Sequence, residues 1–139
     1  MKKSAGYRLE IVTPERVLVL EDIQFTVVQS GNGPVGILPE HAPLLGVVNT
    51  GALKIRDAEK KEFYAFVRAG FFMISHEGVS LVARSAEIDT RIDVKRAMAA
   101  RERAAQIIAG RPAGMDVERA REALMRAETR IKIAQGNVQ

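Results

Sequence analysis

Val79-Ser80-Leu81-Val82-Ala83-Arg84-Ser85-Ala86-Glu87-Ile88-Asp89-Thr90-Arg91-Ile92-Asp93-Val94-Lys95-Arg96-Ala97 is the stretch in which the chain changes period, and that change decides the fold. Val79, Leu81 and Ala83 recur at every second residue, as on one face of a strand. From Asp93 onward Val94, Ala97, Ala100, Ala104 and Ile107 recur at every third or fourth, as on one face of a helix. Upstream, everything to about Ser85 reads as strand. Tyr7 to Val12 alternates and stops at Thr13-Pro14-Glu15, and Val17 to Leu20 is a short apolar run. Ile23, Phe25 and Val27 are expected on one side of the next strand, with Gln24 and Thr26 on the other. Leu53/Ile55, Phe63/Ala65/Val67 and Phe71/Met73 continue the pattern. Turn signals fall at Ser30-Gly31-Asn32-Gly33-Pro34, Thr50-Gly51, Asp57 to Glu62 and Glu77-Gly78. Short strands at close spacing with no helix between them predict an antiparallel sandwich or barrel of about eight to ten strands.

Downstream, Asp93 is placed to cap a helix running to about Ala109, its carboxylate suiting the positive end of the helix dipole. Gly110-Arg111-Pro112-Ala113-Gly114 breaks it. A second helix begins near Asp116, with Val117, Ala120, Leu124, Ala127, Ile131 and Ala134 forming an apolar seam. So short a connection makes the helices antiparallel neighbours. The expected organisation is a β-sandwich domain over residues 1–88 and a helical hairpin over 89–139. Because the seam is largely alanine, burying it removes little apolar surface at roughly 25 cal/mol per Å². The helices should persist on propensity while their packing is negotiable; a permanently docked hairpin is the alternative.

Composition narrows the chemistry. The chain has 139 residues and no cysteine, so disulfides and Cys-based zinc sites are excluded. No stretch approaches transmembrane length and no apolar signal core follows the basic start, which leads to the expectation of a cytoplasmic protein. The net charge of +4 lies wholly in residues 93–139, with ten Lys/Arg against six Asp/Glu. It is either a solvated helical face or a surface that meets an acidic partner. Acids interleave the bases and no aromatic follows Phe72, which argues against nucleic acid. His41 and His76 share no short metal-ligand spacing, and Ser30 to Gly36 lacks the Gly-Lys-Ser/Thr ending of a phosphate loop. Ser85 has no base near it in sequence, and Glu87 and Asp89 precede the first helix, where carboxylates favour its dipole. No catalytic constellation emerges, and the chain is not expected to be an enzyme on its own.

Four blocks in the β half carry a resemblance: Leu9-Glu10-Ile11-Val12-Thr13-Pro14-Glu15-Arg16, Gly36-Ile37-Leu38-Pro39-Glu40-His41-Ala42-Pro43-Leu44-Leu45, Gly51-Ala52-Leu53-Lys54-Ile55 and Arg68-Ala69-Gly70-Phe71-Phe72. In order and spacing they resemble the epsilon subunits of bacterial F-type ATP synthases, and the helical hairpin extends the likeness to nearly the whole chain. The resemblance implies a β-sandwich of about ten strands followed by two helices, in a non-catalytic subunit of a proton- or sodium-translocating complex. It implies a place at the foot of the central stalk, bound to the gamma subunit and the c-subunit ring, peripheral to the bacterial cell membrane on its cytoplasmic side. The stiff loop Gly31 to Pro43, with Glu40 and His41, would meet the c ring. The hairpin would lie folded on the sandwich or extend toward the catalytic beta subunit, where its basic residues restrain ATP hydrolysis.

The same resemblance implies ATP as a regulatory ligand, with no cofactor required. Members that bind ATP carry Ile/Leu-Asp-x-x-Arg-Ala at the head of the first helix, and Ile92-Asp93-Val94-Lys95-Arg96-Ala97 matches it. Glu87 matches the preceding acid, and Arg126 and Arg130 match paired arginines on the second helix. Arginines at i and i+4 can both face one triphosphate, while Asp93 and Glu87 suit an adenine amino group or ribose hydroxyls. The alternative is that Asp93 only caps its helix and the arginines pair with Glu122 and other acids. The rival to the whole assignment is a free-standing β-sandwich adaptor with a helical protein-binding tail.

Overall fold

The computed structural model describes residues 6–138, and the chain divides into two compact units at the Ile88–Asp89 junction. The first unit holds β1 (Tyr7–Val12), β2 (Val17–Ser30), β3 (Gly33–Ile37), β4 (Leu44–Val48), β5 (Gly51–Asp57), β6 (Glu62–Ser75) and β7 (Gly78–Ile88). Its long strands each serve two layers. The start of β2 pairs with β1, and its end pairs with β5 and β3. β6 pairs with β5 through residues 62–67 and with β4 through 70–74, while β7 follows β6 along its length. One layer therefore runs from the start of β2 through β1, the start of β7 and the end of β6 to β4. The other runs from β3 through the end of β2, β5 and the start of β6 to the end of β7. Among these pairings β1 with β7 alone is parallel.

The expected class, a sandwich followed by a helical hairpin, is what the chain forms. Its strands are fewer and longer than the sequence predicts because a strand can bend without a turn. Asp22 takes a φ of 54°, and the β2 register slips between Ile23 and Phe25. Such a bulge bends the strand and changes which side faces in. The expectation for β2 is accordingly corrected: beyond Ile23 the buried residues are Thr26 and Val28. In β6 the backbones close up at Gly70, where a Cβ would collide with the Val82 carbonyl oxygen. Phe71 and Met73 are exposed and Phe72 and Ile74 buried, because this run is apolar on both sides and periodicity cannot choose the inner one.

Two strands have no two-residue alternation to announce them. Residues 33–37, expected within a stiff loop, form the edge strand β3, where Pro34 is tolerated. β4 has apolar side chains on both faces. Glu87, expected on the approach to the helix, belongs to β7 opposite Phe66. The core between the layers is built from residues such as Leu9, Ile11, Val28, Leu53, Ile55, Phe72 and Leu81.

The second unit contains a short 3₁₀ turn (Asp89–Arg91), α1 (Val94–Gly110) and α2 (Val117–Ala134). Both starts are capped by aspartate: Asp93 Oδ1 accepts from Arg96 N–H at 3.0 Å, and Asp116 Oδ1 from Arg119 N–H at 3.2 Å. Gly110 is the last residue of α1, and the left-handed position falls to Arg111 (φ 43°), whose N–H donates to the Ile107 carbonyl. The helices pack on each other, and α2 also packs on the 3₁₀ turn, so the C-terminal half of α2 lies beside the head of α1. Buried Ala97 and Ala104 on α1, and Ala120 and Ala127 on α2, recur two turns apart and form a small-residue contact.

Candidate functional site

Strand register places side chains on the outer face of a sheet as surely as on the inner one. In the first layer Val47 lies opposite Phe71, Phe71 opposite Val82, Val82 opposite Val12 and Val12 opposite Val17. Val47, Phe71, Val82 and Val12 alternate with buried neighbours, and Val17 precedes the partly buried Leu18, so all five point outward. The result is an apolar row crossing all five strand segments of the layer. Val47, Phe71 and Val17 are 59%, 49% and 56% exposed. The next row adds Leu45 (68% exposed) opposite Met73, with Ser80, Glu10 and Val19 completing it. Beside Phe71 the surface sinks into a hollow of about 430 Å³ lined by Val12, Pro14, Gly70 and Val82 among others. Contiguous exposed apolar surface of this kind marks an interaction face. The expectations from sequence missed it, since a period-two reading names only the residues that go inside.

At one pole of the sandwich, residues 38–43 join β3 to β4. Glu40 takes a positive φ of 65°, and His41 Nδ1 lies 2.7 Å from the Ala42 carbonyl oxygen. Tyr7 ties the start of this loop down. Its hydroxyl is 2.8 Å from the Ile37 carbonyl oxygen, which can only accept, and 2.7 Å from Oγ1 of the fully buried Thr26. Burial pushes the Tyr7 phenol up to about 12, an effect the Thr26 hydrogen bond partly opposes. Both histidines, which share no spacing in sequence, line a single cavity here, because the β6–β7 turn carrying His76 reaches the same pole. Among the described residues no group of three or more His, Asp or Glu is arranged to hold a metal ion.

The residues expected to bind ATP fall in both units. Glu87 is on β7 in the first. In the second, Ile92 and Ala97 are buried, whereas Asp93 and Arg96 are exposed. Arg126 and Arg130 are half-buried on α2, one turn apart and flanking buried Ala127 and Ile131. The antiparallel packing puts this arginine pair at the same end of the hairpin as Asp93 and Arg96. Asp93 is a helix cap, with one carboxylate oxygen committed to the Arg96 amide. No helix among the described residues is long and apolar enough to cross a membrane.

Comparison with known proteins gives one consistent answer. Residues 6–89 match the beta-sandwich domain of the ATP synthase delta/epsilon chain, and residues 91–135 match the long alpha-helix domain of the same chain. The ATP synthase epsilon chain of Desulforamulus reducens is 41% identical over 128 residues, covering 92% of this chain and 96% of that one. That of Moorella thermoacetica is 40% identical over 130 residues, covering 94% and 97%. A chain in the mitochondrial ATP synthase structure of Euglena gracilis shares the fold with a TM-score of 0.65 at 16% identity, covering 94% of this chain and 78% of that one.

Proposed function

The chain belongs to the ATP synthase delta/epsilon chain family, and from that premise we propose that it couples the gamma subunit to the c-subunit ring without catalysing a reaction itself. The observation that carries this reading is the outward apolar row Val47–Phe71–Val82–Val12–Val17. A monomer has no use for five apolar side chains aligned across a solvent-facing sheet, whereas a permanent partner such as gamma removes them from water. The pole carrying Glu40 and His41 then faces the polar loops of the c ring, on the cytoplasmic side of the membrane.

The hairpin is the conditional part. Folded, it leaves rotation unhindered; extended along gamma, its basic residues meet an acidic segment of a catalytic beta subunit and restrain ATP hydrolysis. ATP held by Arg126 and Arg130, with Asp93 toward the nucleoside and Arg96 serving either the nucleotide or the fold, favours the folded form. Ile92 and Ala97 support that site from the packed side. The nucleotide shifts the balance only by its preference for one form over the other.

Two measurements test the reading. Deleting residues 93–139 should leave gamma binding intact and relieve inhibition of ATP hydrolysis; inhibition that survives the deletion refutes the brake. Calorimetric titration of the full chain with ATP should register binding that Arg126→Ala with Arg130→Ala abolishes, and an unchanged isotherm refutes the site.

A further inference from the structure

Among the described residues each layer of the sandwich ends in two edge strands, and an edge presents backbone N–H and C=O groups that no neighbouring strand meets. Three of these edges carry features that discourage pairing. β3 holds Pro34, the end of β7 holds Arg84 and Glu87, and the start of β2 is a short run closed between Glu15-Arg16 and Glu21-Asp22. β4, Leu44-Leu45-Gly46-Val47-Val48, has neither a charged residue nor a proline within it, and among the described residues its strand partner is β6 alone. Just past it the corner is closed, where Asn49 N–H donates to the Gln29 carbonyl at 2.7 Å. The open edge is the strand itself. Every second residue of β4 turns its N–H and C=O toward β6, and the residues between turn theirs away.

The side chains point to the same vacant neighbour. Leu45 and Val47 project outward with the apolar row and are exposed. Leu44, opposite the buried Ile74, turns to the inner side and is still 43% exposed. A partner lying flat on the outer face would cover Leu45 and Val47 and leave Leu44 in water. A strand laid alongside covers both sides at once, because its own side chains alternate in step.

We propose that β4 is an acceptor edge, and that an extended segment of the gamma subunit pairs with it through backbone hydrogen bonds. The proposal rests on the reading of the apolar row as the gamma face. That row ends on this strand at Val47, so the partner that covers the row already lies against the edge. Main-chain bonds supply the attachment, and alternate side chains of the segment meet Leu45 and Val47 on one side and Leu44 on the other. A charge at those positions would be buried against leucine and valine without a partner, so the segment is apolar there. A slip of one residue would turn every side chain of the segment to the wrong side, so the pairing also fixes the partner's position along β4.

The test follows amide hydrogen exchange by NMR in the full chain, isotopically labelled, alone and bound to its gamma subunit. In the free chain every second amide of β4 should exchange fast. Gamma should slow that set at least about tenfold, while the amides already bonded to β6 change little. Leu44→Thr keeps strand propensity and lies on the side away from the row. It should weaken gamma binding about fivefold, which is what the exposed part of a leucine is worth on burial. Suppose gamma binding stays sensitive to Phe71→Thr while the outward β4 amides exchange as fast as before, or a folded Leu44→Thr chain keeps wild-type affinity. Either result overturns strand addition and leaves the apolar row standing as the docking face. Failure of the chain to bind gamma overturns both readings. Outward amides already slow in the free chain also overturn the proposal, and sedimentation then distinguishes a second copy on the edge (a dimer) from a cover supplied by the chain itself (a monomer).

Discussion

Replacing Phe71 by threonine separates docking from folding. Phe71 projects outward from β6 and is 49% exposed. A phenylalanine side chain presents roughly 200 Å², so about 100 Å² is left for a partner to cover. At roughly 25 cal/mol per Å² that is about 2.5 kcal/mol, of which threonine's methyl retains a small part. The expected loss of affinity for gamma is about 2 kcal/mol, or roughly thirtyfold in Kd. Threonine rather than alanine is the replacement because it is β-branched and keeps the strand propensity of the position. Val17→Thr, at the far end of the same row and 56% exposed, should weaken binding by only about threefold to tenfold, since half a valine is worth about 1 kcal/mol. Gln29→Ala, exposed on β2 in the other layer, should do nothing. Biolayer interferometry on immobilised gamma reads all three, with thermal melts run alongside. Wild-type affinity in a folded Phe71→Thr chain would refute the apolar row as the docking face. So would equal losses from all three variants.

Tyr7→Phe should cost about 1–3 kcal/mol in urea unfolding, because it strips a partner from the buried Thr26 hydroxyl and the Ile37 carbonyl. Folding raises the Tyr7 phenol from 10 to about 12, so its contribution is fully present below pH 10 and is lost as pH rises to 12; the phenylalanine variant should lack that alkaline loss. Gly70→Ala should destabilise the sandwich by about 1–3 kcal/mol in the same assay, since its methyl would meet the Val82 carbonyl oxygen. Asp93→Asn should keep the α1 cap while removing the charge, leaving helix content by circular dichroism unchanged. If Asp93 contributes to the nucleotide site, calorimetry should show weakened ATP binding in that variant; wild-type binding would confine Asp93 to capping.

What could be read from the sequence followed the strength of its local signals. Leu53/Ile55, Val79/Leu81/Ala83 and the capped helices after Asp93 and Asp116 each carry a period or a cap that a few residues suffice to declare. The bends were not legible, because Asp22 and Gly70 act through backbone geometry that appears only once neighbouring strands are in place. A two-sided apolar run such as Phe71 to Ile74 holds no information about which side faces the core; pairing with β4 and β7 decides it. The outward apolar row was hidden for that reason, and the histidine-lined cavity because residues 35 positions apart come to one cavity only through strand topology. The arginine pair was legible because both residues ride one helix face at fixed spacing.

The strands that pass from one layer of the sandwich into the other have a mechanical consequence. In a sandwich of separate sheets, a sideways load on one is resisted only by side chains sliding past each other. Here β2, β6 and β7 run through both, so the same load pulls on covalent backbone and on whole ladders of hydrogen bonds. A small body built this way passes a twisting force from one face to another with little internal give, which is the property a link between two turning parts requires.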